Sequence, residues 1–252
     1  MYEYAAISDI GPKANINDDR ILVNGKILDS GLINGKIIEP YTILAVADGV
    51  GGLQRGYEAA EMTLHTIADL NKPGLGRQDI RNAVECANKS VIQKQVEMNN
   101  PNALRTTLAA VYISESDCYV VNAGDSRVYR LRDGELVQLS KDHSVVQNMI
   151  DTGELNIDES YSHPKRNVIT KCLGDESRVN ARIVDYSDDI QINDLFVICS
   201  DGISDCLRDY EIANIVADLR ISLQDACRKL VNKAIDNGST DNISVCLLRK
   251  EN

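Results

Sequence analysis

The sequence predicts an α+β layered sandwich, with antiparallel sheets covered by helix pairs, in one domain over residues 1–252. Three observations carry that prediction. Short apolar runs follow one another through connections of a few residues, which forces antiparallel pairing because a parallel crossover needs a dozen residues or more. Two pairs of amphipathic helices interrupt the strands, with apolar residues at helical spacing. No low-complexity linker, internal repeat or charge block divides the chain, so strands and helix pairs share one set of layers.

Strands and turns alternate up to Ala47. A helix over Tyr57–Leu70 then places Ala60, Leu64, Ile67 and Ala68 on one face, and a second over Gln78–Met98 does the same with Ile80, Ala83, Val84, Ala87 and Val91. Lys72-Pro73-Gly74 separates the two helices and Asn99-Asn100-Pro101 ends the second. Strands follow over Thr107–Ser114, Cys118–Ala123, Arg127–Leu131 and Leu136–Leu139, the last two joined by Asp133-Gly134, a hairpin turn to which no chemistry is assigned. A polar, helical stretch runs from His143 to Leu173. Strands return over Ala181–Tyr186 and Leu195–Cys199. A helix over Glu211–Leu219 places Ile212, Ile215, Val216 and Leu219 on one face. Its partner over Leu223–Ile235 aligns Leu223, Ala226, Cys227, Leu230, Val231 and Ala234, and Ile243–Leu248 is the last strand.

Composition narrows the function classes. With 43% hydrophobic residues the chain can bury a substantial core, and with no Trp and one Phe that core is aliphatic. A net charge of -11 argues against nucleic acid or an anionic membrane as partner, since both need a basic face. Seven cysteines form no C-x-x-C pair, and Cys199, Cys227 and Cys246 lie in apolar patterns, as small core residues of a reducing compartment do. Met1-Tyr2-Glu3-Tyr4 does not open a signal peptide and no run is long enough to span a membrane, so a cytoplasmic protein is expected.

Asp19, Asp48, Asp201 and Asp241 each stand where an apolar run meets a turn. Asp48 ends Ile43–Ala47 and precedes Gly49; Asp201 follows Leu195–Ser200 and precedes Gly202; Asp241 lies just before Ile243–Leu248. A single Asp-Gly is most often only a turn. Four such carboxylates at strand ends repel one another unless a cation sits among them, and all-oxygen ligands suit a hard divalent ion such as magnesium or manganese. The expected chemistry is a metal site that activates water. The three histidines, His65, His143 and His163, form no cluster by spacing and are expected in structural roles.

Eight segments in order give the chain a family resemblance: S-D-I-G-P-K-A-N-I-N-D-D from Ser8, L-A-V-A-D-G-V-G-G from Leu44, T-T-L-A-A from Thr106, N-A-G-D-S-R from Asn122, K-D-H-S from Lys141, H-P-K-R-N-V-I-T-K-C-L-G from His163, C-S-D-G-I-S-D from Cys199 and G-S-T-D-N-I-S-V from Gly238. From Ser8 to Leu248 the chain resembles the bacterial metal-dependent serine/threonine protein phosphatases of the PPM, or type 2C, family. The resemblance implies a four-layer α-β-β-α sandwich with a binuclear Mn2+ or Mg2+ centre at one end. It implies that Asp48 bridges two metals, that the Gly49 carbonyl completes one shell, that Asp201 and Asp241 hold the other metal, and that Asp19 acts through metal-bound water, with Asp18 as the acidic residue before it. Asp125, Asp201 and Asp205 would form a third, weaker site. A turn role for Asp125 and a helix-capping role for Asp205 compete with that assignment. Residues 144–173 resemble the family's flap, which shapes access for protein substrates.

On this reading a metal-bridging hydroxide attacks the phosphate ester in line, the cations neutralise the transition state, and no protein nucleophile is required. A cysteine-nucleophile loop of the form C-x5-R is accordingly not expected. Three departures from the family stand out. Ala14 occupies the place of the usual phosphate-binding arginine, leaving Lys13, Arg20 or Arg55 as substitutes; Leu53 and Val50 stand where relatives carry histidine; and Arg105 replaces the glycine before Thr-Thr. The expected activity is dephosphorylation of phosphoserine and phosphothreonine on proteins, by a monomer opposing a serine/threonine kinase. The alternatives are a phosphatase of sigma-factor regulators and a catalytically weak, phosphatase-like binding module.

Overall fold

The structure is a computed structural model and describes residues 1–50, 55–101 and 103–251. The first elements are β1 (Tyr2–Asp9), β2 (Asp19–Val23), β3 (Lys26–Leu28), β4 (Gly31–Ile37) and β5 (Thr42–Asp48). Helices α1 (Gly56–Ala68) and α2 (Arg77–Glu97) follow, then β6 (Leu108–Ile113), β7 (Cys118–Ala123), β8 (Arg127–Arg132) and β9 (Glu135–Gln138). The flap-like segment holds α3 (Val145–Asp151) and α4 (Ile157–Ser160). The chain closes with β10 (Arg182–Asp185), β11 (Leu195–Cys199), the short α5 (Asp201–Ser204), α6 (Asp209–Val216), α7 (Leu223–Asp236) and β12 (Ile243–Lys250).

The strands form two six-stranded sheets, in the orders β4-β1-β12-β11-β8-β9 and β10-β7-β6-β5-β2-β3. Every strand pair is antiparallel. Three apolar layers separate four layers of structure. Helices α1 and α2 pack Leu64, Ile67, Ile80 and Val84 on the second sheet. Helices α6 and α7 pack Ile212, Leu230 and Ala234 on the first. Between the sheets lie Tyr2, Ile21, Leu44, Val46, Phe196 and Cys246. The α-β-β-α sandwich expected from the sequence is the observed architecture.

Local chemistry sets the element ends. Ser222 caps α7, its hydroxyl accepting from the Asp225 backbone N–H at 3.1 Å, and the Asp79 carboxylate accepts from the Gly76 N–H at 2.9 Å to open α2. The β8–β9 hairpin turns at Asp133 and Gly134, with φ of 50° and 84°, the doubly left-handed turn that matches strand twist. One expectation is corrected: α6 ends at Val216 and Leu219 is 83% exposed, so Leu219 does not belong to its buried face. The helical spacing continues in sequence past the residue where the backbone stops being helical, and spacing alone does not mark that stop.

Candidate metal centre

Side chains on a strand alternate faces, so the apolar residues facing the other sheet fix the phase of the polar ones. On β5, Leu44 and Val46 face the other sheet while Ile43, Ala45 and Ala47 face the helices, which directs Asp48 between the sheets. On β2, Ile21 and Val23 put Asp19 in that same space. On β11 and β12, Phe196, Ile198, Cys246 and Leu248 carry the phase to Ser200 and Ser244. One end of the intersheet layer is thus polar. Asp19 and Asp48 are Cα partners across β2 and β5.

That end opens into a cavity of about 250 Å³ lined by Asp48, Val50, Thr107, Asp125, Asp201 and Asp241, with Asn167 and Ile169 of the flap-like segment as a further wall. Two glycines allow the loops to converge. A Cβ on Gly202 would lie 2.0 Å from the Asn242 carbonyl oxygen, and one on Gly11, where φ is +73°, would lie 2.0 Å from that of Asp241. Asn242 ties the same loops together: its amide donates to the Ile10 and Ile16 carbonyls at 2.8 and 3.1 Å, and its Oδ1 accepts from the Asp18 N–H at 2.8 Å.

Four of the aspartates singled out in the sequence, Asp48, Asp125, Asp201 and Asp241, therefore share one cavity. Asp205 lines an adjoining pocket with Asp125. It lies at the C-terminal end of α5, and Arg208 rather than Asp205 is the residue before α6, so the helix-start capping alternative has no counterpart. Asp125 sits in the bend between β7 and β8, as the turn reading expects, and also lines the cavity. Asp19 is 1% exposed and outside the cavity lining; its Oδ2 accepts from the Ser200 hydroxyl at 2.8 Å. Asp18 caps α1, its Oδ1 accepting from the Tyr57 N–H at 2.8 Å. Gly49 lies between two lining residues, pairs with Thr106 and donates its N–H to the Asp18 carbonyl at 3.2 Å.

Burial and mutual repulsion dominate the electrostatics. Burial, then Asp201 and Asp19, holds the Asp48 carboxyl well above the usual carboxylate range. Burial, then Asp125 and Asp205, does the same to Asp201. Burial pushes Asp19 up to about 7 against the pull of Ser244 and Ser200, and burial with Asp142 and Asp205 pushes Asp125 up to about 7. Burial also raises Asp205, opposed by Arg127 and Arg166. The Asp201 Oδ1 is buried with no hydrogen-bond partner among the described residues. The side chains share a space without closing a cage: among the described residues, no three Asp, Glu, His or Cys side chains stand together as a ligand set. All-oxygen donors with an unpaired buried carboxylate oxygen fit a hard divalent cation.

Cations reach this cavity sparingly. Arg20 spends its Nη1 on the Asn17 and Asp19 carbonyls at 2.8 and 2.7 Å, with its guanidinium over the Tyr57 ring. Arg55 pairs with Glu58, Arg105 with Asp175 at 2.6 Å, and Lys13 is exposed. Leu53 lies outside the described residues. On the flap-like segment Arg166 is 3.5 Å from Asp205, and the Arg208 guanidinium lies 3.5 Å from the centre of the Tyr161 ring. His65 is exposed beside Glu61, and His143 and His163 accept from the Gly124 and Lys165 N–H groups through Nδ1, so the histidines form no cluster. The expectation about C-x5-R is corrected, because Cys172 and Arg178 have that spacing. The Cys172 thiol is 3% exposed and burial pushes it up to about 12, which removes the thiolate such a loop needs.

With sandwich and cavity in place, the comparisons agree on a class: the chain belongs to the protein phosphatase 2C family, whose model matches residues 36–237. Within it the chain is similar to bacterial serine/threonine phosphatases. It is 31% identical over 229 residues to the phosphatase stp of Listeria welshimeri, covering 88% of this chain and 89% of that one. It is 31% identical over 249 residues to PstP of Mycobacterium tuberculosis, covering 97% of this chain and 44% of that longer protein. The crystal structure of M. tuberculosis PstP/Ppp matches with a TM-score of 0.86 at 28% identity, over 100% of this chain and 99% of that one. The PstP catalytic domain in complex with two manganese ions matches at 0.79 and 27% identity, over the whole of both chains.

Proposed function

We infer that this serine/threonine protein phosphatase removes phosphate from phosphoserine and phosphothreonine of cytoplasmic proteins, as a single-domain monomer that opposes a serine/threonine kinase. The observation that carries the reading is the four-carboxylate cavity with the unpaired Asp201 Oδ1 on its wall. Asp48, Asp201 and Asp241, with the Gly49 carbonyl, would hold two manganese or magnesium ions; Asp125 and Asp205, with Asp201, would hold a third. When bound, such cations lower the pKa of water and offset the charge of a phosphoryl group, which the carboxylates alone would repel.

The residues of the chain do the rest. Asp48 and Asp19, fixed as neighbours by the β2–β5 register, set the spacing of the carboxylates on the second sheet. Thr107 holds the Asp48 backbone: its N–H donates to the Asp48 carbonyl at 2.8 Å, and its Oγ1 accepts from the Asp48 N–H at 3.1 Å. Asn167 and Ile169 bring the flap-like segment into the lining of the cavity. No guanidinium stands in the place of Ala14, so phosphate capture lacks a bidentate clamp there and weaker ground-state binding of substrate follows. The carboxylate cluster argues against a pure binding module, in which mutually repelling acids gathered around one cavity would have no use.

The test is phosphate release from a phosphothreonine peptide with manganese, with magnesium and with EDTA. Turnover with a divalent ion and none with EDTA is expected. Absence of turnover with either metal, in protein shown to be folded, would overturn the reading.

A further inference from the structure

We propose that Ser200 is a positioning residue for the metal centre: its hydroxyl locks the buried Asp19 carboxylate to the segment that carries Asp201. This rests on the metal reading above. The two aspartates come from different sheets and are far apart in sequence, and Asp19 lies outside the cavity lining. Something must hold the Asp19 carboxylate in one orientation if it is to serve ions held by Asp48 and Asp201.

The geometry leaves Ser200 one option. Its backbone N–H donates to the Ser244 carbonyl at 3.0 Å, continuing the β11–β12 ladder one residue beyond Cys199 and Val245. Its Oγ accepts from the Ser244 N–H at 3.0 Å. A hydroxyl has a single proton to give, and with that lone pair engaged the proton goes to Asp19 Oδ2 at 2.8 Å. Ser200 and Ser244 are 0% exposed and Asp19 is 1% exposed, so water does not compete for these bonds.

The bond is one side of a closed circuit. The Asp19 N–H donates to Asn17 Oδ1 at 3.2 Å. The Asn17 amide donates to the Ser8 hydroxyl at 2.8 Å. Ser8 accepts from the Ser244 hydroxyl at 3.1 Å, which returns the path to Ser200. Four segments are joined: β1, the approach to β2, the β11–α5 junction and β12. A connected polar ring of this kind fixes orientation more sharply than a single bond. Ser200 is followed directly by Asp201, so any rotation of the Asp19 carboxylate is referred to the backbone that carries Asp201.

Partners that orient metal ligands are typically worth about 10–100-fold in metal affinity when removed. The test is titration calorimetry of manganese binding to metal-stripped wild type, Ser200→Ala, Asp19→Asn and the double variant, with near-ultraviolet circular dichroism to confirm packing. Ser200→Ala should weaken manganese binding at least tenfold, and should weaken it no further in the Asp19→Asn background. Ser200→Cys, nearly isosteric but a weak donor, should lie between wild type and Ser200→Ala; it carries the test alone if Ser200→Ala does not fold. Ser200 variants that bind manganese within twofold of wild type would overturn the proposal. So would an equal loss with and without the Asp19 carboxylate, the signature of a general packing defect. Failure of the wild type itself to bind manganese would instead overturn the metal reading on which the proposal stands.

Discussion

Stripping divalent cations should make stability fall as pH rises from 5 to 8, and Asp19→Asn should remove a definable part of that fall. In the fold the Asp19 carboxyl is pushed up to about 7, whereas in the unfolded chain it titrates at about 3.9. Between those values the folded protein keeps a proton that the unfolded chain has released. The favourable contribution is therefore complete below about pH 4 and is lost as pH rises through about 7. At about 1.4 kcal/mol per pH unit, a rise of roughly three units corresponds to on the order of 4 kcal/mol. For a domain of this size that is on the order of 10 °C in Tm. Asp125, also pushed up to about 7, acts in the same direction, but the two groups belong to one mutually repelling set and their effects are not summed. His143 acts oppositely. Burial draws its imidazole down to about 4, so the unfolded chain takes up a proton that the fold refuses as pH falls below about 6.5. The informative quantity is the wild-type minus Asp19→Asn difference, in which His143 cancels. Calorimetric melts in EDTA at pH 5, 6, 7 and 8 should show that difference shrinking, wild type losing roughly 5–10 °C relative to the variant, because about two of the three units fall inside this range. Excess manganese should reverse the slope, because cation and proton compete for the same oxygens. A difference that stays level across the range would refute the description of Asp19 as a buried carboxyl that holds its proton in the metal-free fold.

Four further outcomes are expected. Asp201→Asn removes the charge of a cavity-lining carboxylate and should reduce phosphopeptide turnover by more than about 100-fold, as read by phosphate release at saturating manganese. Ala14→Arg supplies a bidentate donor and should lower KM for a phosphothreonine peptide by up to about tenfold with kcat changed less; a KM that does not move would show that position 14 does not face substrate. Gly202→Ala forces a methyl onto the Asn242 carbonyl at 2.0 Å and should cost about 3 kcal/mol in urea unfolding. Arg127→Ala leaves the buried Asp142 carboxylate, to which Arg127 donates at 2.7–3.1 Å, with the Gln138 amide at 2.8 Å in place of a cation, and should cost about 3 kcal/mol in the same assay.

How far the sequence spoke for the structure depended on whether a residue's neighbours along the chain were also its neighbours in space. The run Ile43–Ala47 is apolar at every position because sheet lies on one side and helices on the other, so Asp48 at its end was conspicuous. Asp201 was conspicuous for the same reason. Asp125 looked like a turn, and is one; only the folding of β7 against its neighbours brings it to the cavity. Asn167 carries no local signal, since it reaches the cavity from a segment with no strand of its own. The serines were missed although a sign was present. Ser8 and Ser244 interrupt apolar strands at the inward phase, where a buried hydroxyl needs a partner, and each finds the other across the β1–β12 pair. At Leu219 the helical spacing outruns the helix, and at Cys172 the spacing to Arg178 is present without the chemistry, because the thiol is buried.

The cavity draws its acids from both sheets: Asp48 from one, with the buried Asp19 beside it across β2 and β5, Asp201 and Asp241 from the segments after β11 and before β12 of the other, and Asp125 from the bend between β7 and β8. Such an arrangement makes the site a gauge of how the two sheets sit on each other. A strand advances about 3.3 Å per residue, more than the span of one metal–oxygen bond, so a shear of even a fraction of that step would spoil the ligand geometry while leaving every strand pair intact. Conversely, cations gripping both jaws would clamp the sheets like a vice. Amide exchange at the intersheet positions Ala6, Val46 and Ile198 should then slow when metal binds.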